Sequence, residues 1–159
     1  MHISLNWLKE FVNLSKNQTP QSLANLLTLK TAEVESVHEE AKSFDKMVVG
    51  QVLEIQKHPN ADKLKIVKVS LGKENIDVVC GGANLKEDMY IAFAKVGARV
   101  RWHGQGDLVT LEKAKIRGIE SAGMIVAASE IGLPELQKGP EDILDLSAIK
   151  PKTGTPLAE

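Results

Sequence analysis

The sequence predicts a mainly β protein, a small barrel or sandwich preceded by a short helical segment. Three observations predict it. From Met47 onward the chain is a series of short Val- and Ile-rich segments. Gly, Pro, Asn and Asp separate them at the spacing of a small all-β domain. Only in the first forty residues do apolar side chains recur at helical intervals.

In chain order, Ser4 can cap a helix that carries Leu5, Leu8 and Val12 on one face, with Trp7 and Phe11 beside them at i, i+4. Thr19-Pro20 starts a second helix, because proline at the first helical position loses no hydrogen bond. Leu23, Leu26 and Leu27 give its apolar stripe. AEVESV (32–37) reads as a short strand and AKSFDK (41–46) as a polar linker. The strands that follow lie in MVVGQVLEIQKH, LKIVKVSLG, IDVVCGG, MYIAFAKVG, ARVRWHG and LVTLEKAKIRG. HPNAD (58–62) and GKEN (72–75) are turns, since proline sets φ and Asn or Asp bonds local backbone. ASEIGL (128–133) suits one helical turn, and the tail after it is rich in loop residues.

Composition narrows function. The chain has 159 residues, 43% of them hydrophobic, and a formal net charge of −1, so no global cationic field draws in nucleic acid. Local patches must do so. Between Lys46 and Ile131 there are 13 Lys and Arg against 10 Asp and Glu, so the basic excess lies in the β-rich part. The single cysteine, Cys80, excludes an internal disulfide and suits a reducing compartment. The four histidines (His2, His38, His58, His103) have no zinc-ligand spacing, so no metal site is expected. Neither a secretion signal nor a membrane span is legible, which predicts a cytoplasmic protein without membrane contact.

The stretch KAKIRGIESAGM (113–124) holds the main candidates. Ser121 is not a nucleophile elbow, since Ile119 stands where that motif needs glycine and no histidine follows residue 103. No catalytic residue is predicted. Neither GGAN (81–84) nor RGIESAG has phosphate-loop spacing. Lys113, Lys115 and Arg117 alternate, so on a strand they would share one face opposite Ala114 and Ile116. Arg99, Arg101 and His103 repeat the pattern against Ala98, Val100 and Trp102, and Lys63, Lys65 and Lys68 add charge. Such faces either line up donors for RNA phosphates or form an ordinary solvated barrel surface. His58-Pro59 reads as a turn and Cys80 as a small buried residue.

VVGQVLEIQKHPNADKLKIVKV, VVCGGAN and KAKIRGIESAGMIVAASEIGL resemble, in this order, the tRNA-binding oligonucleotide-binding fold of aminoacyl-tRNA synthetases and free-standing tRNA-binding proteins. The resemblance covers roughly residues 46–133. ISLNWLKEFV, followed by LLTLKTAEVESV, resembles the start of bacterial phenylalanyl-tRNA synthetase β subunits in particular. Two departures stand out: Thr31 replaces a common glycine, and Cys80-Gly81-Gly82-Ala83-Asn84 differs from the usual C-G-A-x-N.

The resemblance implies a five-stranded barrel of the oligonucleotide-binding type (41–148) inserted in a truncated N-terminal α+β domain. Residues 1–40 would be the first half of that domain and 149–159 the start of its return, so the chain reads as an N-terminal fragment. It further implies a non-catalytic tRNA-contacting module, with phenylalanine-specific tRNA, the α subunit and the rest of the β subunit as partners. Its alternative is a scaffold for subunit assembly with little direct tRNA contact. No cofactor is expected in this piece, ATP and Mg belonging to the whole synthetase. Lys113, Lys115, Arg117, Ser121 and Met124 would line or support the RNA-facing groove, joined by Arg99 and Arg101. Asn84, His58, Asn60 and Lys63 would shape its neighbouring loops.

Overall fold

The computed structural model describes residues 3–15, 17–38 and 40–158; His2 lies outside them. The chain divides into two units, residues 1–40 and 41–159.

In the first unit, helix α1 (Leu5–Leu8) begins where the Ser4 hydroxyl accepts the Trp7 N–H. The helix is a single turn, so Val12 lies past its end, while Trp7 and Phe11 meet edge to face at 5.1 Å. Helix α2 (Pro20–Lys30) starts in a capping box: Thr19 Oγ1 accepts from Ser22 N and Ser22 Oγ accepts from Thr19 N. These two bonds satisfy donors that the first helical turn leaves over. Of the leucine stripe, Leu23 is buried and Leu26 exposed. The expected strand at 32–37 is absent. Its alternation needs a paired neighbour, and no described residue of this unit is in a strand. Val34 N–H bonds instead to Thr28 Oγ1, and the Thr31 hydroxyl donates back to the Leu27 carbonyl.

In the second unit the expected linker is ordered: Glu40–Phe44 is a 3-10 turn whose Phe44 packs on the core. Nine strands follow: β1 (Met47–Lys57), β2 (Lys65–Ser70), β3 (Asn75–Cys80), β4 (Tyr90–Lys95), β5 (Arg99–Arg101), β6 (Leu108–Thr110), β7 (Ala114–Ile116), β8 (Ile119–Ser121) and β9 (Gly123–Ile125). Five of them form one antiparallel sheet in the order β3-β2-β1-β4-β9, a nearly closed barrel of the oligonucleotide-binding type. The other four pair as two hairpins, β5–β6 and β7–β8.

Strand β1 serves both halves of the barrel. Its residues 47–51 pair with β4 and 51–57 with β2, and the register skips Leu53 between Val52 and Glu54. A bulge there sharpens the twist that lets one strand belong to both. The free edge of its first half is covered by the chain's end, where Thr155 accepts from Val49 N at 2.9 Å and Met47 accepts from Leu157 N at 2.9 Å.

Strand β4 is buried on both faces, which is why its sequence does not alternate polar and apolar. Ile91 and Phe93 enter the barrel interior with Val52, Val67, Val69 and Val78. Ala92 and Ala94 face a second cluster with Met47, Val100, Leu111 and Val126. Their small side chains leave room for the β5–β6 ribbon to lie close.

A buried hydroxyl bridges β3 and β9. Ser121 Oγ accepts the Val79 N–H at 3.2 Å and donates to the Gly123 carbonyl at 3.1 Å. Beside it Gly123 has φ +143°, and a Cβ there would lie 2.5 Å from Phe93 Cζ. Only glycine allows β9 to cross the phenyl ring at this distance.

Candidate nucleic-acid interface

The basic stretch forms an arm. Strands β7 and β8 are joined by Arg117-Gly118, both at positive φ (49° and 99°). That is the backbone of a two-residue I′ hairpin, whose twist matches the flanking strands. The expected single face is corrected here. Lys113 precedes β7, Lys115 lies within it, and Arg117 is in the turn, while Ala114, read on the opposite face, is exposed as well. The arm therefore projects its three cations along an edge and tip. All three are exposed, and none joins an ion pair among the described residues. Glu120 stands opposite Lys115 in the register and moderates the positive charge.

The β1–β2 loop clasps this arm from below. His58 is buried and its Nε2 lies 3.2 Å from the Ile116 carbonyl, while Nδ1 accepts the Asn60 N–H at 3.1 Å. A ring nitrogen that accepts an N–H carries no proton, so the proton is on Nε2 and is donated to Ile116. Asn60 Nδ2 donates to the Arg117 carbonyl at 3.3 Å. His58 and Asn60 thus set the hairpin's position through its backbone, leaving its cations outward. Lys63 is exposed in the same loop.

The remaining candidates disperse. Arg99 and Arg101 are exposed on β5 with Val100 buried between them, as the alternation required. The pattern stops at Arg101: residues 102–104 form a 3-10 turn, His103 has φ 52°, and Trp102, read as alternating with Ala98 and Val100, is 55% exposed. Gly104 and Gly106, both at positive φ, were the signal that the strand ends there. Ser121 is buried and its hydroxyl spent on the bridge between β3 and β9, so it can support a surface but not line one. Met124 is half-buried against the second core cluster. Asn84 offers both halves of its amide to Ile143, donating to its carbonyl at 3.0 Å and accepting its N–H at 2.9 Å. It closes a loop 59 residues away. Lys68 is paired with Glu54 at 3.4 Å, and Lys65 donates to the Gly82 carbonyl, so neither adds to a free cationic strip.

A barrel with an outward basic arm is compatible with many binders, so similarity must decide the family. Residues 47–152 match the family described as "Putative tRNA binding domain". The chain belongs to that family.

Members of longer proteins are similar across nearly the whole chain. The chain is 44% identical over 92% of its length to "Phenylalanine--tRNA ligase beta subunit" of Protochlamydia amoebophila, covering 18% of that protein. It is 38% identical over its full length to the protein of the same name from Prochlorococcus marinus, covering 19% of it. The Wolinella succinogenes protein of that name is 42% identical over 96% of the chain, again with 18% of its own length covered. The chain thus spans about a fifth of the relatives it matches. Among its described residues no helix is long and apolar enough to cross a membrane.

Proposed function

We propose that this tRNA-binding family member makes a non-catalytic contact with tRNA through the β7–β8 arm. The observation that carries the reading is the clasp: two side chains of the 58–62 loop hold the backbone of a hairpin whose Lys113, Lys115 and Arg117 remain exposed. A preset array of cations meets a phosphate backbone without first being ordered, and phosphate contacts position rather than specify. Lys63, Arg99 and Arg101 extend the array.

By similarity, the setting is the β subunit of a phenylalanine–tRNA ligase in the cytoplasm, with the α subunit and the remainder of β as neighbours and the phenylalanine-specific tRNA as ligand. In this reading the chain itself holds neither ATP nor Mg, which serve chemistry elsewhere. Filter binding of tRNA to the chain over a salt series tests it. With about four phosphates engaged, log K falls against log salt with a slope of about −3 to −4. Retention that is absent or independent of salt would leave the domain as a scaffold.

A further inference from the structure

The β5–β6 ribbon ends in an indole with no packing role evident in its exposure. Trp102 is 55% exposed, and Leu108 (39%) and Val109 (47%) lie exposed on the same ribbon. The turn that presents it is firmly held. His103, Gly104 and Gly106 all have positive φ, so the chain adopts three costly or glycine-dependent conformations within five residues. Gly104 is pressed on Ser129, where a Cβ would lie 2.6 Å from the serine Cβ. The buried Glu130 carboxylate accepts the N–H of Ala127 at 2.8 Å and is stabilised electrostatically by His103. His103 stands edge-to-face to the indole at 5.5 Å. A strained turn fixed at its base and open at its aromatic tip is a presentation device.

Its surroundings define what it presents to. Arg99 and Arg101 lead up to Trp102 along β5, and neither is in an ion pair among the described residues. They stand in register with Thr110 and Leu108, so the ribbon's outer face is cationic and apolar at once. Asp107 at the ribbon tip is the nearest acidic residue in sequence. Leu111 pairs with Ala98, which brings the chain directly to Lys113 and the arm. From Leu108 to Lys113 the chain spans at most about 17 Å, the reach of a few nucleotides.

An exposed indole at the end of a strand that carries two exposed arginines fits an unpaired base with its flanking phosphates, and does not fit the closed edges of a duplex. We infer that Trp102, with Arg99 and Arg101, forms a stacking subsite for an unpaired RNA base, continuous with the arm. The inference rests on the tRNA-contact reading and gives it a preference: a single-stranded loop or end of the RNA lies over the ribbon while backbone phosphates lie on the arm.

Trp102 is one of two tryptophans, so Trp7→Phe leaves its fluorescence alone to report. In that background, titration with a single-stranded RNA of about ten nucleotides quenches the emission, and an RNA duplex of equal length does not. Trp102→Ala weakens single-strand binding roughly five- to a hundredfold, and Trp102→Phe restores much of it. Emission unchanged by single-stranded RNA, with tRNA still bound in a salt-dependent way by Trp102→Ala as tightly as by the parent, overturns the subsite and leaves the arm standing. Equal quenching by duplex overturns it also. If neither RNA nor tRNA binds the parent chain at any salt, both readings fall together, and a protein partner for the ribbon takes their place.

Discussion

Nε2 of His58 lies 3.2 Å from the carbonyl oxygen of Ile116, a contact across 58 residues of sequence. It ties the turn that follows β1 to the arm that carries the candidate cations. Replacing His58 by Ala removes two hydrogen bonds and opens a cavity, at a cost of about 2 kcal/mol or more. Asn60→Ala, whose bond to Arg117 is exposed, costs under about 1 kcal/mol. Urea unfolding measures both. Hydrogen exchange of the arm's amides should quicken in His58→Ala before the barrel's amides do.

Gly123 is the second test of the fold. Alanine there meets Phe93 at 2.5 Å and the Ala94 carbonyl at 2.9 Å, in a backbone region that favours glycine. Phe93 is fully buried and has nowhere to retreat. Gly123→Ala is expected to cost about 2–4 kcal/mol and to lower the melting temperature accordingly.

Much of this fold is legible before any coordinates. Thr19-Pro20, the HPNAD turn and the single turn in ASEIGL, found at Ser129–Ile131, all depend on residues within a few positions of each other. What the sequence hides is tertiary. AEVESV alternates as a strand should, yet alternation cannot supply a pairing neighbour. The period-2 run of Lys113, Lys115 and Arg117 cannot say where pairing ends, and a turn with arginine in its first place lacks the Asn-Gly or Asp-Gly signature. Asn84 could face RNA or backbone from sequence alone; its partner Ile143 is 59 residues away. His58 reads from sequence as a turn residue and Ser121 as lining or supporting the groove, but their partners, Ile116 and Val79, are 58 and 42 residues away and only the fold shows them.

Glu130 gives the pH dependence a direction. Burial pushes its carboxyl above the ordinary 4.5, with the Ala127 N–H and His103 pulling the other way. The folded state therefore holds this proton more tightly than the unfolded chain. Its contribution to stability is full below 4.5 and is lost as pH rises through the raised value. Glu130→Gln removes that slope, whatever fixed cost the lost acceptor brings. Unfolding free energies of parent and variant at pH about 4 and about 7 should converge toward, or favour, the variant at the higher pH. A gap that does not change with pH contradicts the assignment.

Cys80 is buried, and burial pushes its thiol up, only partly offset by the Gly82 N–H that its sulfur accepts at 3.4 Å. Iodoacetamide should modify it in the native protein at least about tenfold more slowly than in urea. Equal rates would mean that the β3 end of the barrel opens readily.

The central claim is that the arm's cations touch RNA. Lys113→Glu combined with Arg117→Glu changes exposed side chains only and leaves the Lys115–Glu120 pair in place, so the variant should unfold at the parent's urea midpoint. Measured by fluorescence anisotropy with labelled tRNA, the account predicts affinity at least about tenfold weaker and a salt slope shallower by about two. A variant that stays folded and binds tRNA with the parent's affinity and salt slope would contradict it.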